Sequence, residues 1–161
     1  MKYFSILLAF TLAGNVNAQV FSQAQFLSST PFELKGALLI DLDGDGDLDA
    51  LAGGVGFNDS GIETWVNNNG QFELVNGNIP FSQFGGGVFA AADVDSDGDI
   101  DFATVIESTL VVFRNNGTGQ FASPSILESD AGDVRSIAFG QLDAVLGPEM
   151  VITRIDSEDV L

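Results

Sequence analysis

The chain has 161 residues, no Cys and no His, and 23 acidic against five basic residues, a net charge of −18. So acidic a surface repels nucleic acid and anionic membranes, which are bound through basic patches, and without Cys there are no disulfides to supply rigidity. With 45% hydrophobic residues and fourteen Phe, it is not a disordered acidic tail either.

Residues 1–18 read as an export segment. Lys2 gives a basic start, Tyr3 to Ala13 is an almost wholly apolar run, and Val16 and Ala18 stand where a signal peptidase reads the chain. A bilayer span takes roughly 20 apolar residues and this run is about half that, so no transmembrane segment is expected in the mature chain. No Cys follows the run, which argues against a lipid anchor. The expected product is cleaved between Ala18 and Gln19 and is secreted, extracellular or periplasmic, or held at the cell surface. Only Lys35, Arg114, Arg135 and Arg154 then remain as basic residues.

Residues 19–35 form a leading segment in which Gln25-Phe26 and Pro31-Phe32 resemble Gln71-Phe72 and Pro80-Phe81 further on. The first full unit, residues 36–81, begins with apolar Gly36–Ile40, passes through the acidic loop Asp41–Asp49 and continues with Ala50-Leu51-Ala52. A run from Ile62 then ends in an Asn/Gly turn and Gln71-Phe72. The second unit, residues 82–132, repeats this order: Gly87–Ala92, the loop Asp93–Asp101 that starts 52 residues after Asp41, Phe102–Ile106, Leu110–Gly117 and Gln120-Phe121. In the third, residues 133–161, Ser136–Gly140 and Met150–Thr153 match the first two strands. Each unit is read as four short strands, and the fold class as all-β. A period near 50 residues in such a sequence points to β-propeller blades of four antiparallel strands. A single blade cannot bury both faces of its sheet, so the Phe, Val, Ile and Leu runs are expected to fill the space between blades. An incomplete propeller of about two and a half blades is expected, since closed rings take about four to eight.

Both acidic loops have the spacing D-x-D-x-D-G-x-x-D. Alternate residues of a tight loop bring carboxylates round one point, as a hard cation with many oxygen ligands requires. Asp41, Asp43, Asp45 and Asp49 are the side-chain candidates at the first site, and Asp93, Asp95, Asp97 and Asp101 at the second. Asp47 and Asp99 would offer their backbone carbonyls. Gly46 and Gly98 sit where positive φ is expected, while Leu42, Leu48, Val94 and Ile100 are expected to point away from the ion and into the blade. Without an ion, five Asp in nine residues repel one another, by about 4 kcal/mol for each pair 4 Å apart at an effective dielectric of 20. A loosely held all-oxygen shell suits Ca2+ better than Mg2+, and two calcium sites are expected. An EF-hand is excluded: its twelfth position needs a bidentate acid, and Ala52 and Thr104 stand there.

Strand–DxDxDGxxD–strand at this period resembles the FG-GAP or VCBS repeat family, the unit of the integrin α-subunit propeller. The resemblance spans about residues 36 to 161 and is specific in the loops. The Phe-Gly pair itself occurs only at Phe139-Gly140, with no Gly-Ala-Pro after it. It implies a calcium loop joining the first and second strands of each blade, and extracellular adhesion or the recognition of a protein or carbohydrate. The third copy departs from the pattern, with Gln141 and Val145 at positions one and five and Leu146 in place of the turn Gly; it keeps only Asp143 and Glu149 as acids. That site is expected to be empty.

Other residues offer less. Trp65 reads as blade packing ahead of a sugar-stacking platform. Asn58-Asp59-Ser60 and Asn116-Gly117-Thr118 fit the glycosylation sequon and equally ordinary turn chemistry. Glu63, Glu107 and Glu128 read as solvated strand edges and not as a catalytic pair. With Tyr3 removed, acid–base work falls to carboxylates alone and the clustered ones are assigned to metal, so no enzyme is expected. The alternative is a fragment, catalytic or not, of a larger propeller-type polysaccharide-degrading enzyme, which depolymerase activity would reveal.

Overall fold

Among the described residues, short β-branched and aromatic runs broken by Gly, Asn and Asp make ten antiparallel strands in three sheets. The computed structural model describes Leu27 and residues 33–55, 60–80 and 85–155; the export segment, its Ala18–Gln19 junction, the Gln25-Phe26 pair and the first two residues of the Asn58 sequon lie outside these. All but Leu27 belong to one compact unit, Phe32–Leu161. The first sheet runs β1 (Glu33–Ile40), β2 (Asp49–Val55), β3 (Ser60–Asn68) and β4 (Gln71–Pro80), side by side in chain order. The second runs β5 (Gly85–Ala92), β6 (Asp101–Ile106), β7 (Thr109–Phe113) and β8 (Ser125–Glu128) in the same way. The third pairs β9 (Asp133–Gly140) with β10 (Glu149–Ile155). In the second sheet Gln120-Phe121 precedes β8, and Phe121 makes an isolated bridge to Asn115.

The middle sheet explains how the blades stack. Side chains alternate across a strand, so Phe102, Val111 and Phe113 face one way and Ala103, Val105, Leu110 and Val112 the other. The first group packs with Leu51 and Ile62 of the first sheet. The second packs with Ala131, and with Val134 and Ile137 of β9. Both faces being covered, β6 and β7 are apolar almost throughout, where a one-sided sheet would alternate with polar residues. Phe102 is the centre of the first interface: it stacks on Phe113 at 4.8 Å and meets Phe121 edge-on at 4.7 Å and Phe89 at 6.1 Å.

The leading strands lie next to one another, β1 against β5 and β5 against β9, as the inner strands of successive blades do. Glycine permits this approach. A Cβ on Gly36 would stand 2.5 Å from the carbonyl oxygen of Gly87, and one on Gly87 3.0 Å from the Lys35 Cβ. The architecture is thus a set of propeller-type blades, with no closed ring among the described residues.

Two expectations need correction. Leu48 does not enter the blade but is 54% exposed, while Leu42 at the other end of the same loop is 1% exposed. Leu42 lies beneath Gly119 of the next blade, and nothing comparable covers Leu48 among the described residues. Glu63 is no solvated edge: it is 5% exposed on β3, an interior strand buried from Gly61 to Asn67. Trp65 is also buried, as packing requires.

Candidate metal centres

The loops joining β1 to β2 and β5 to β6 fold on their own carboxylates. Asp41 accepts hydrogen bonds from the Gly44 and Gly46 amides at 2.8 and 3.1 Å, and Asp93 from those of Asp97 and Gly98 at 3.1 and 3.0 Å. The chain reverses through left-handed residues, Gly44 and Gly46 in the first loop, Ser96 and Gly98 in the second. Glycine takes that conformation without a Cβ clash; Ser96, with φ of 64°, adopts it despite having one.

The ninth residue of each loop is the anchor. Asp49 and Asp101 are fully buried. Asp49 accepts the Leu42 amide at 2.6 Å and the Asn67 amide at 2.8 Å, tying the loop entry to the end of β3. Asp101 does the same with Val94 at 3.1 Å and Asn115 at 2.9 Å. Burial pushes both carboxyls above the ordinary carboxylate range. The amide bonds oppose the shift, and repulsion from Asp43 and Asp41, or from Asp95 and Asp97, adds to it.

One oxygen each from Asp41, Asp43 and Asp49 lie within 4.8 Å of one another, and so do oxygens of Asp93, Asp95 and Asp101. Two oxygens each about 2.4 Å from a single calcium ion are at most about 4.8 Å apart, so the donor sets fit a hard cation in size and chemistry. A carboxylate oxygen that accepts one amide keeps a second lone pair, so the anchoring bonds of Asp49 and Asp101 do not exclude ligation. The remaining acids lie outside these groups. Asp45 and Asp97 accept the amides two residues on, those of Asp47 and Asp99. Asp47 accepts the Asn69 amide at 3.0 Å, and the Asp99 carboxylate lies against Gly117, where a Cβ would come within 2.8 Å of both its oxygens. Position seven therefore turns its side chain toward the turn that follows the third strand.

Asn67 and Asn115 were not singled out by sequence reasoning. Both are buried. Asn67 donates its Nδ2 to the Leu48 carbonyl and accepts the Gly70 amide. Asn115 donates to the Ile100 carbonyl of its own blade and to the Leu42 carbonyl of the preceding one, at 3.1 and 2.7 Å. The available signal was that both stand at or just past the C-terminal end of the third strand, just before the Asn/Gly turn, in equivalent repeats. In the sequon, Asn116 accepts the Thr118 amide and hydroxyl, as a turn residue.

The third loop keeps the anchor and replaces the charge. Glu149 accepts the Leu142 amide at 2.7 Å, as Asp49 accepts that of Leu42. Gln141, in place of the first Asp, donates its Nε2 to the carbonyls of Asp143 and Val145, at 3.0 and 2.5 Å. A neutral amide thus gathers the loop where the other two present converging carboxylates. The left-handed glycine has moved one place along, to Gly147 with φ of 107°.

These features define a propeller-type repeat protein with two acid-lined blade loops. A family model described as FG-GAP-like repeat matches residues 41–104 and again 93–144, and the chain belongs to that family. No curated protein matches the chain. Among the described residues, no helix is long and apolar enough to cross a membrane.

Proposed function

We propose that this is an exported calcium-binding repeat protein that acts as an extracellular recognition or adhesion module, without catalysis. The observation that carries the reading is the twice-repeated group of three carboxylates around a buried Asp. Asp41, Asp43 and Asp49 would hold one Ca2+ and Asp93, Asp95 and Asp101 the other, with Asp45, Asp97 and the carbonyls of Asp47 and Asp99 available to complete the shells. The ion would offset the repulsion within each loop and fix the entry of the second strand. Export is supported by the composition of residues 1–18, and the absence of catalysis by the absence of His and Cys from the whole chain. The partner is an extracellular protein or a carbohydrate. The test is isothermal titration of the secreted protein with CaCl2: two ions per chain are expected, with Kd in the range of about 10⁻⁴ to 10⁻³ M typical of extracellular modules. Zero or three equal sites would overturn the metal assignment, and turnover of a polysaccharide the non-catalytic one.

A further inference from the structure

Among the described residues, a charged neighbour sets the second acidic loop apart from the first. Arg114 places its Nε 2.9 Å from Oδ2 of Asp95, one of the three carboxylates grouped in the second loop. The guanidinium is held from behind as well, because its Nη1 donates to the Ser125 hydroxyl of β8 at 2.8 Å. Arg114 precedes Asn115, which gives Asp101 its backbone amide. In the first blade the residue before the corresponding Asn67 is Val66, which is 6% exposed and packs beside Gly119. The first group therefore has an apolar residue at the place where the second has a fixed cation.

We infer that Arg114 acts as a built-in competitor for the second site, so that the two loops fill in order, the Asp41 loop at lower calcium and the Asp93 loop at higher. The inference rests on the calcium reading of these loops. A cation entering the second group must take Asp95 away from a bidentate-capable, two-point-anchored guanidinium, and it does so in the field of that positive charge. Among the described residues, no salt bridge to a basic side chain is seen at Asp41, Asp43 or Asp49. Exposed ion pairs are weak, so the effect is a spacing of affinities and not the loss of a site. Added salt screens both the pair and the repulsion and should narrow the gap.

The experiment isolates each site. Asp43→Ala leaves the second loop to be titrated alone and Asp93→Ala the first, with CaCl2 by calorimetry and by the melting temperature. The first loop should bind about 1.5- to 5-fold more tightly than the second, the range an exposed ion pair allows. Arg114→Val and Arg114→Gln should each tighten the second site by that factor and leave the first unchanged, while Arg114→Lys, which keeps the charge, should recover most of the difference. Arg114 is half-exposed, so none of these changes empties the core. Two sites that stay equal, or a second site that does not respond to Arg114→Val, overturns the inference and leaves the calcium reading standing. A chain that binds no calcium overturns both.

Discussion

The first and third loops solve the same folding problem with different chemistry. In both, an acid at position nine accepts the amide of position two, closing a turn between the first and second strands. The first loop surrounds that closure with Asp41, Asp43, Asp45 and Asp47; the third spans it with Gln141, whose amide bridges two carbonyls. The ninth acid is therefore a folding residue before it is a ligand, and the other carboxylates are what distinguish a cation site from a plain turn. The surroundings differ too: Leu42 is covered by the next blade, whereas its counterpart Leu142 is 69% exposed and Leu146 97% exposed.

The sharpest way to break the comparison is at position nine. Asp49→Ala or Asp101→Ala leaves two buried or part-buried backbone amides without acceptors and should cost about 2–4 kcal/mol even in chelator. Glu149→Ala exposes its amide to water and should cost about 1 kcal/mol or less; urea denaturation measures both. Equal costs at the three positions would show that burial of the anchor does not matter.

Calcium itself comes next. Binding to the folded state alone stabilises by RT ln(1 + [L]/Kd), about 1.4–2.7 kcal/mol per site at 10 mM free calcium for the affinities expected here. Asp43→Ala should remove one site's share, and changes confined to the third loop none of it. A melting temperature indifferent to chelation would refute this.

A smaller effect tests whether Gln141 does the work assigned to it. Asp41→Gln in the first loop should abolish calcium binding there. In chelator it should leave stability level or raise it by about 1 kcal/mol, by removing one member of a repelling pair. A large loss in chelator would mean that the Gly44 and Gly46 bonds to Asp41 require a charged acceptor.

The smallest effect is on pH. In chelator, Asp49 and Asp101 have folded-state carboxyls raised by burial above the usual 3.8, so the folded chain holds protons more tightly than the unfolded one. Their contribution is fully present below the unfolded value and is lost as pH rises through the raised folded value. Chelated protein should therefore gain stability on acidification from neutrality toward about pH 4, as a series of melts would record. With calcium present the slope should reverse, because protons displace the ion.

Much of this was legible in the residues. The 52-residue repeat, the spacing of the Asp loops and the glycines at Gly46 and Gly98 are local patterns, and local patterns determine strand order and turn shape. The filling between blades was also readable, because a sheet buried on both faces must be apolar on both, as β6 and β7 are. Three features were decided only by the tertiary structure. Which acids come within reach of one ion depends on how the whole loop folds, and this groups Asp41 and Asp43 with Asp49, and Asp93 and Asp95 with Asp101. The reach of Asn115 to the Leu42 carbonyl joins residues 73 apart in sequence. The burial of Leu42, the exposure of Leu48 and the position of Arg114 over Asp95 follow from blade docking and from a partner on β8. Spacing within a repeat sets the geometry of a loop; contacts made across and between sheets, by residues no local pattern pairs, set its surroundings.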